Sequence, residues 1–163
     1  MDLASAAKIA TIVTPIVIAG GFGFAYRQWQ SIRNTRMAEI LVSLGKQWDS
    51  PEMQDSRCLV NQCGKNLKQE IKKADTENSP DLYRLVKVAN FFDFLGGMVM
   101  AGYFDVRTAY DVFWRTEEHY YELYRLILDD PDYKDYIQCF QKLHQAFATE
   151  KAKRIKEKPR PSV

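Results

Sequence analysis

Two polar residues, Asn90 and Asp93, lie within an otherwise apolar stretch of the chain. Because they are three positions apart, they would share one face of a helix. Burying a carboxylate is unfavourable unless the charge is paired, so we expect an arginine beside Asp93. The candidate partners are Arg57, Arg84 and Arg115.

This group of residues has two interpretations. The favoured one is a buried polar clamp that fixes the register of packed helices, and the alternative is a polar spot in a ligand groove. The substitution Asp93→Ala separates them. Lost thermal stability supports the clamp, whereas an intact fold with lost partner binding supports the groove.

The histidines, His119 and His144, offer little for catalysis. Neither lies in a HExxH, CxxC or GxSxG context, and the sequence has no Walker loop and no GxGxxG motif. Two scattered histidines cannot supply the three or four ligands of a zinc site, and His144 fits better as a hydrogen-bonded core residue. We therefore predict no catalytic residue, no cofactor and no metal, and an enzyme is not favoured.

Three cysteines, Cys58, Cys63 and Cys139, argue against a disulfide framework because their number is odd and no two form a CxxC pair. On a helix, Cys58 and Cys63 would point about 140° apart. Small buried thiols in a reducing compartment are the better interpretation.

The run His119–Tyr121, together with Tyr124, could in principle stack bases. Aromatic residues at helical spacing are more often core, and the surrounding acids oppose a nucleic-acid site. We expect no nucleic-acid partner. The acids in question are Asp111, Glu117, Glu118 and Glu122.

Helices must position these residues, since apolar side chains recur at helical spacing and no segment alternates as a strand does. Ser50 and Asp105 are predicted N-caps, Gly64 weakens the second helix, and Gly102 ends the third. That third helix is apolar on most sides, which is typical of a central helix. The spacing leaves open whether the fourth helix continues through Thr116.

A membrane span is predicted from Ile9 to Tyr26, a run without any charged residue. As a helix it would reach roughly 27 Å, close to the thickness of the hydrocarbon core. Lys8 and Arg27 bracket the run, and Tyr26 and Trp29 fall where an interfacial aromatic belt would lie. A cleaved signal peptide and a buried core helix are less favoured, because bulky residues end the run and few polar residues interrupt it.

The distribution of charge gives an orientation. Arg27, Arg33 and Arg36 follow the run before any acid, which predicts a single-pass protein with its N-terminus outside and the helical domain in the cytoplasm. A second basic stretch extends from Lys151 to Arg160. Both basic segments could face anionic lipid, but the favoured interpretation is that the first only orients the anchor and the second is a solvated tail.

The chain is therefore predicted to be all-α, with an N-terminal transmembrane helix followed by a bundle of about five helices. The predicted boundaries are 1–28 for the transmembrane anchor, 29–150 for the helical domain and 151–163 for a basic disordered tail. The first helix of the domain is expected to continue from the span without a break, because neither Pro nor Gly lies between Arg27 and Met37.

The order of these features resembles an uncharacterised bacterial family, domain of unknown function 4760. The residues that carry the resemblance are an amino-terminal span, the segment from Trp48 to Met53 with Arg57, the segment from Asn90 to Phe94 followed by Gly102, and Trp114 ahead of a tyrosine-rich helix near Arg125. The resemblance covers most of the chain. It implies a helical, membrane-anchored protein and transfers no catalytic residue.

Together these patterns predict a membrane-tethered helical module that binds a protein partner or forms a homo-oligomer, with the lipid bilayer contacted through Ile9 to Tyr26. Two alternatives stay open. One is a membrane-active oligomer whose spans assemble in the bilayer, as the glycines near the end of the span suggest. The other is an enzyme with a site near Asp93.

Overall fold

The computed structural model describes the backbone of residues 3–133 and 137–157, and the side chains of residues 24–33, 35–133 and 137–157. The chain divides into two compact units, Met1–Gly45 and Lys46–Val163. Within the described residues the secondary structure is helical, which confirms the all-α prediction. Most of the predicted span Ile9–Tyr26 and the end of the predicted tail, 158–163, lie outside the described side chains.

Six α-helices are described, joined by short connections. Their bounds are α1 Leu3–Trp48, α2 Pro51–Cys63, α3 Leu67–Thr76, α4 Asp81–Met100, α5 Val106–Leu128 and α6 Gln138–Glu157, with a 3₁₀ turn at Gly64–Asn66. Among the residues that can be described, no helix combines enough length with enough apolar character to cross a bilayer.

The first helix, α1, continues without a break through the segment between Arg27 and Met37, as the sequence predicts. Most of the first unit consists of this helix. Its described side chains expose several large apolar residues to solvent, namely Phe24, Tyr26, Trp29, Ile32 and Val42.

Helix starts follow the predicted capping residues. The hydroxyl of Ser50 accepts a hydrogen bond from the backbone N–H of Met53 at 3.3 Å, and Oδ1 of Asp105 accepts one from the N–H of Thr108 at 2.8 Å. Each cap satisfies an N–H group that the first turn of a helix leaves without an internal partner. Both N-cap predictions are confirmed.

Glycines determine two helix ends. Gly64 adopts φ +49° and separates α2 from α3, which are one helix in the prediction. Gly102 adopts φ +76° after α4, and the N–H groups of Gly102 and Tyr103 donate to carbonyls of the last turn of that helix. This arrangement satisfies helix-end carbonyls with a residue in the left-handed region, so the predicted end at Gly102 is confirmed.

Helix α4 is the centre of the second unit and packs against α2, α3, α5 and α6. Its buried face is formed by apolar residues that recur at helical spacing, namely Leu85, Val88, Ala89, Phe92, Leu95 and Val99. Phe91 is buried as well, while Phe94 stays exposed. Burial of each large apolar side chain contributes about 1.5–3 kcal/mol, so this helix supplies much of the stability of the core.

Aromatic rings fill the space between α4 and its neighbours. The ring of Trp48 lies 4.9 Å from that of Phe91 and 5.7 Å from that of Tyr120, measured between centroids. Phe92 stacks on Phe140 at 5.1 Å. Offset and edge-to-face contacts of this kind add to the burial of apolar area, and they explain why aromatic residues at helical spacing belong to the core.

In the second half of the chain, the structure answers one open question and changes one predicted boundary. Helix α5 is continuous through Thr116, which answers the question that the spacing left open. Helix α6 extends to Glu157, so residues 151–157 continue the helix, whereas the predicted tail begins at Lys151. This extension of α6 contacts α5 through ion pairs, including Lys151 Nζ with Glu118 Oε1 at 2.7 Å.

Candidate functional site

Asp93 joins α4 to the start of α6. Its Oδ1 accepts hydrogen bonds from the backbone N–H groups of Cys139 at 2.8 Å and of Phe140 at 3.0 Å. These donors lie in the first turn of α6, where N–H groups have no partner inside the helix and where the helix dipole favours a negative charge. The carboxylate of α4 therefore caps a different helix.

The two helices approach each other closely at this point. A Cβ atom added to Gly96 would lie 2.2 Å from the carbonyl oxygen of Cys139, so a larger residue does not fit. Gly96 brings the backbone of α4 against α6 one turn after Asp93, and the carboxylate fixes the register. This geometry corresponds to the clamp interpretation of Asp93.

The structure corrects the expected arginine partner of Asp93. Arg57 lies over the ring of Trp48, with Cζ 4.6 Å from the centroid. Arg84 pairs with Asp81 at 2.9 Å, and Arg115 lies over the ring of Trp114. Because two backbone N–H groups already stabilise the carboxylate, no cation is needed beside it.

Asn90 does not take part in this clamp. Its side chain is exposed and lies on the wall of a cavity of about 610 Å³ bounded by α3, α4 and α5. Asn90 and Asp93 share a helix but face different neighbours. The structure thus separates the two predicted site residues into a helix cap and a cavity residue.

The Asn90 cavity, as we call it, has a mostly apolar wall and a few polar groups. Its volume lies within the 300–1,000 Å³ range typical of ligand sites. The apolar lining is Ile71, Leu82, Val86, Ala89, Ile127 and Ile137, together with the ring of Tyr124, and the polar lining is Asp75, Asn90, Asp132 and Tyr133.

Tyr124 presents only its ring to the Asn90 cavity. Its hydroxyl donates a hydrogen bond to the backbone carbonyl of Leu85. Burial raises the pKa of this phenol well above its ordinary value. The hydroxyl is therefore protonated and already bonded, so the polar groups of the cavity are the other four residues.

The connection between α5 and α6 is fixed to α3 by an ion cluster. Asp130 Oδ2 lies 2.9 Å from Nζ of both Lys68 and Lys72, and these ammonium groups lower the pKa of the Asp130 carboxyl. Nearby, the hydroxyl of Tyr133 donates to Asp75 Oδ2 at 3.2 Å. These bonds hold one rim of the Asn90 cavity in place.

A second group, which sequence reasoning did not single out, is the pair Glu117 and His144. The Glu117 carboxyl is buried between α5 and α6, and its Oε1 lies 3.1 Å from Nδ1 of His144. The imidazole stacks on the ring of Tyr121, with centroids 3.5 Å apart. Burial raises the pKa of Glu117, and the contact with His144 partly offsets that effect.

The signal for Glu117 was present in the sequence. It follows Phe113 by four residues and precedes Tyr120 by three, and Tyr124 follows four residues later. This helical spacing places Glu117 on the buried face of α5. Burial of Glu117 was not predicted because glutamate is seldom buried without a partner. The partner, His144, is hydrogen-bonded as predicted, but its side chain is 28% exposed and therefore half-buried, not part of the core.

A smaller cleft of about 340 Å³ opens beside Glu117 and His144, along α5 and α6. Its rim is formed by paired charges, including Lys151 with Glu118. Because each charge has a partner, the cleft offers no preference for ligand charge. Within the described part of the chain, no three His, Cys, Asp or Glu side chains converge as a metal site requires.

Comparison with known proteins gives one match. The sequence model of the family described as domain of unknown function (DUF4760) matches residues 15–144. No curated protein and no solved structure matches the chain significantly. The matched range includes both Asp93 and the lining of the Asn90 cavity.

Proposed function

Because the chain belongs to the DUF4760 family, whose description assigns no activity, we propose its function from its own residues. We propose that the protein is a membrane-tethered helical module that binds a partner and does not catalyse a reaction. The bilayer contact is the apolar run Ile9–Tyr26. The second unit, Lys46–Val163, provides the binding surfaces at the cytoplasmic face.

The observation that supports the tether is a collar of exposed aromatic residues where the apolar run ends. Phe24, Tyr26 and Trp29 are 71%, 61% and 56% exposed. Arg33 lies over the ring of Trp29, with Cζ 5.8 Å from the centroid. Large aromatic rings beside arginine are typical of the membrane–water interface, where the ring contacts lipid and the cation contacts headgroups.

The chemistry of the acidic residues favours binding over catalysis. Oδ1 of Asp93 is bonded to two backbone N–H groups, and the Glu117 carboxyl is in contact with His144. The Asp93 oxygen is thereby engaged in a helix cap, whereas a general acid or base needs access to a substrate. An enzyme site near Asp93 is therefore the weaker alternative.

Fractionation of the full chain tests the tether. We expect the wild-type protein to sediment with membranes and to resist alkaline carbonate. The substitution Val17→Arg introduces a charge at the centre of the apolar run, which opposes insertion by roughly 2.5–3.5 kcal/mol. We expect this variant to shift toward the supernatant.

The matched control is Val112→Arg, which introduces the same side chain on an exposed position of α5. This variant should sediment as the wild type does. Recovery of the wild-type chain in the supernatant would overturn the tether.

Cysteine labelling tests the orientation. Cys58 is exposed on α2, so a membrane-impermeant maleimide should label it only after the cells are opened. Cys58→Ser identifies the signal from this thiol. Equal labelling in intact cells would place the helical domain outside and contradict the proposal.

A further inference from the structure

We propose that the Asn90 cavity binds a small hydrophobic amine, with the apolar body inside the cavity and the ammonium group at its acidic rim. This assigns a ligand class to a site in the second unit. The inference does not depend on the membrane tether, because all lining residues belong to Lys46–Val163.

The apolar body is matched by the cavity wall. Leu82, Val86 and Ala89 lie on α4, and Ile71 and Ile127 face them from α3 and α5. No charged side chain belongs to this part of the wall. Transfer of an alkyl chain from water to such a surface is favourable in proportion to the apolar area that is removed from water.

The head group is selected by the charges at the rim. Two carboxylates, Asp75 and Asp132, line the cavity, and both residues are exposed. The hydroxyl of Tyr133 donates a hydrogen bond to the Asp75 carboxylate. Because this hydroxyl is uncharged, the carboxylate keeps its negative charge. A positively charged group would be attracted to this rim, and a carboxylate ligand would be repelled.

The lysines on α3 do not cancel this preference. Nζ of Lys68 and Nζ of Lys72 both lie 2.9 Å from Oδ2 of Asp130. These two cations are held by a carboxylate that is not part of the cavity lining. Lys72 also interacts with the charge of Asp132 and offsets part of it. Asp75, which accepts a hydrogen bond from the neutral hydroxyl of Tyr133, is therefore the stronger acidic group that a ligand would meet.

Asn90 fits the same ligand. It is an exposed amide at the cavity, and its carbonyl oxygen can accept a hydrogen bond from an ammonium group. The polar lining therefore offers acceptors from two carboxylates and one amide.

A matched set of ligands provides the test. Hexylamine, 1-hexanol and hexanoate have the same alkyl length and are positive, neutral and negative at pH 7. Their binding to the full chain in lipid nanodiscs is measured by equilibrium dialysis, with protein-free nanodiscs as the blank. We expect the amine to bind about tenfold more tightly than hexanoate, with hexanol between them.

Two pairs of substitutions separate local charge from net charge. Asp75→Asn with Asp132→Asn should reduce the preference for the amine to within about twofold. Asp49→Asn with Asp55→Asn removes the same total charge from residues that do not line the cavity, and should leave the preference unchanged. All four positions are exposed, so the fold should be maintained.

A cavity-filling substitution tests the location. Val86→Phe should weaken binding of all three ligands at least tenfold, and Leu82→Phe serves if the first variant does not fold. The proposal is overturned if hexanoate binds as tightly as hexylamine, if neither filling variant weakens binding, or if the wild-type chain binds none of the ligands. If the wild-type chain is recovered in the supernatant, it is dialysed without lipid. Failure of the tether therefore leaves this binding test intact.

Discussion

The carboxyl group of Glu117 lies 3.1 Å from Nδ1 of His144 while being only 1% exposed. The contact joins α5 to α6 at a point where the imidazole also stacks on Tyr121. Burial favours the uncharged carboxyl, and a histidine neighbour favours the charged one. The net effect is a raised pKa for Glu117, which makes the stability of the helix pair depend on pH.

The direction of this dependence follows from proton binding. The unfolded chain loses the Glu117 proton near the ordinary value of 4.5, whereas the folded chain retains it to a higher pH. Between these two pKa values the folded state binds more protons, so stability falls as the pH rises through this interval. We expect Glu117→Gln, which cannot ionise, to remove this part of the decline.

Urea unfolding of both proteins across the acidic range measures the effect. The wild-type free energy of unfolding should decrease relative to that of Glu117→Gln as the pH rises. Glu122→Gln, at an exposed position on the same helix that does not affect the pKa of Glu117, is the control and should keep the wild-type profile. Parallel profiles for wild type and Glu117→Gln would contradict the prediction.

Asp130 should show the opposite dependence. Its pKa lies below the ordinary aspartate value of 3.8 because Lys68 and Lys72 stabilise the charged form. The resulting stabilisation is present above pH 3.8 and is lost as the pH falls toward the folded pKa. We expect Asp130→Asn to lower the melting temperature at pH 7, with a difference from wild type that diminishes below pH 3.8.

Circular dichroism melts at a series of pH values test this prediction, with Asp129→Asn as the neighbouring control. The control removes a charge from the same connection without breaking either lysine contact. A difference that grows on acidification would show that the two ion pairs do not stabilise the fold.

The local signals were sufficient to predict much of the helical domain. Ser50 and Asp105 cap helices because their side chains reach an N–H group a few residues ahead, and this depends on nearby sequence alone. The buried face of α4 follows from helical periodicity in the same way. Such features need no knowledge of which helices meet.

Contacts between distant residues could not be predicted so well. The partner of Asp93 is the backbone of Cys139 and Phe140, and backbone donors have no signature in side-chain identity. Similarly, a cavity at Asn90 depends on how α3, α4 and α5 pack together. The rule that a buried carboxylate needs a cation predicted an arginine beside Asp93. Instead, the positive end of the helix dipole at the N-terminus of α6 stabilises this carboxylate.

The substitution Asp93→Ala should destabilise the domain, because the first turn of α6 loses its acceptor. We expect a decrease of about 0.5–2 kcal/mol in the free energy of unfolding, as for other cap removals, with Asp93→Asn retaining an acceptor and losing less. Asn90→Ala, at an exposed position, should change stability by less than about 0.5 kcal/mol. Equal losses for Asp93→Ala and Asn90→Ala would contradict the assignment of a cap.

The adjacent glycines of α4 give the sharpest test of helix packing. In Gly96→Ala the new Cβ would lie 2.2 Å from the Cys139 carbonyl oxygen and 2.7 Å from its carbon, so α4 and α6 must separate. Overpacking of this kind typically lowers stability by about 1–3 kcal/mol. In Gly97→Ala the nearest atom is Cys139 Sγ at 4.0 Å, and alanine is favoured over glycine within a helix by roughly 0.5–1 kcal/mol.

The two substitutions should therefore change stability in opposite directions although they are chemically the same and one residue apart. Urea unfolding monitored by tryptophan fluorescence would report both, because the half-buried ring of Trp48 contacts Phe91 of α4. The spectra of the folded variants show whether the aromatic core remains intact. If Gly96→Ala is as stable as Gly97→Ala, then the close approach of α4 to α6 at Cys139 does not exist, and the register that Asp93 fixes must be different.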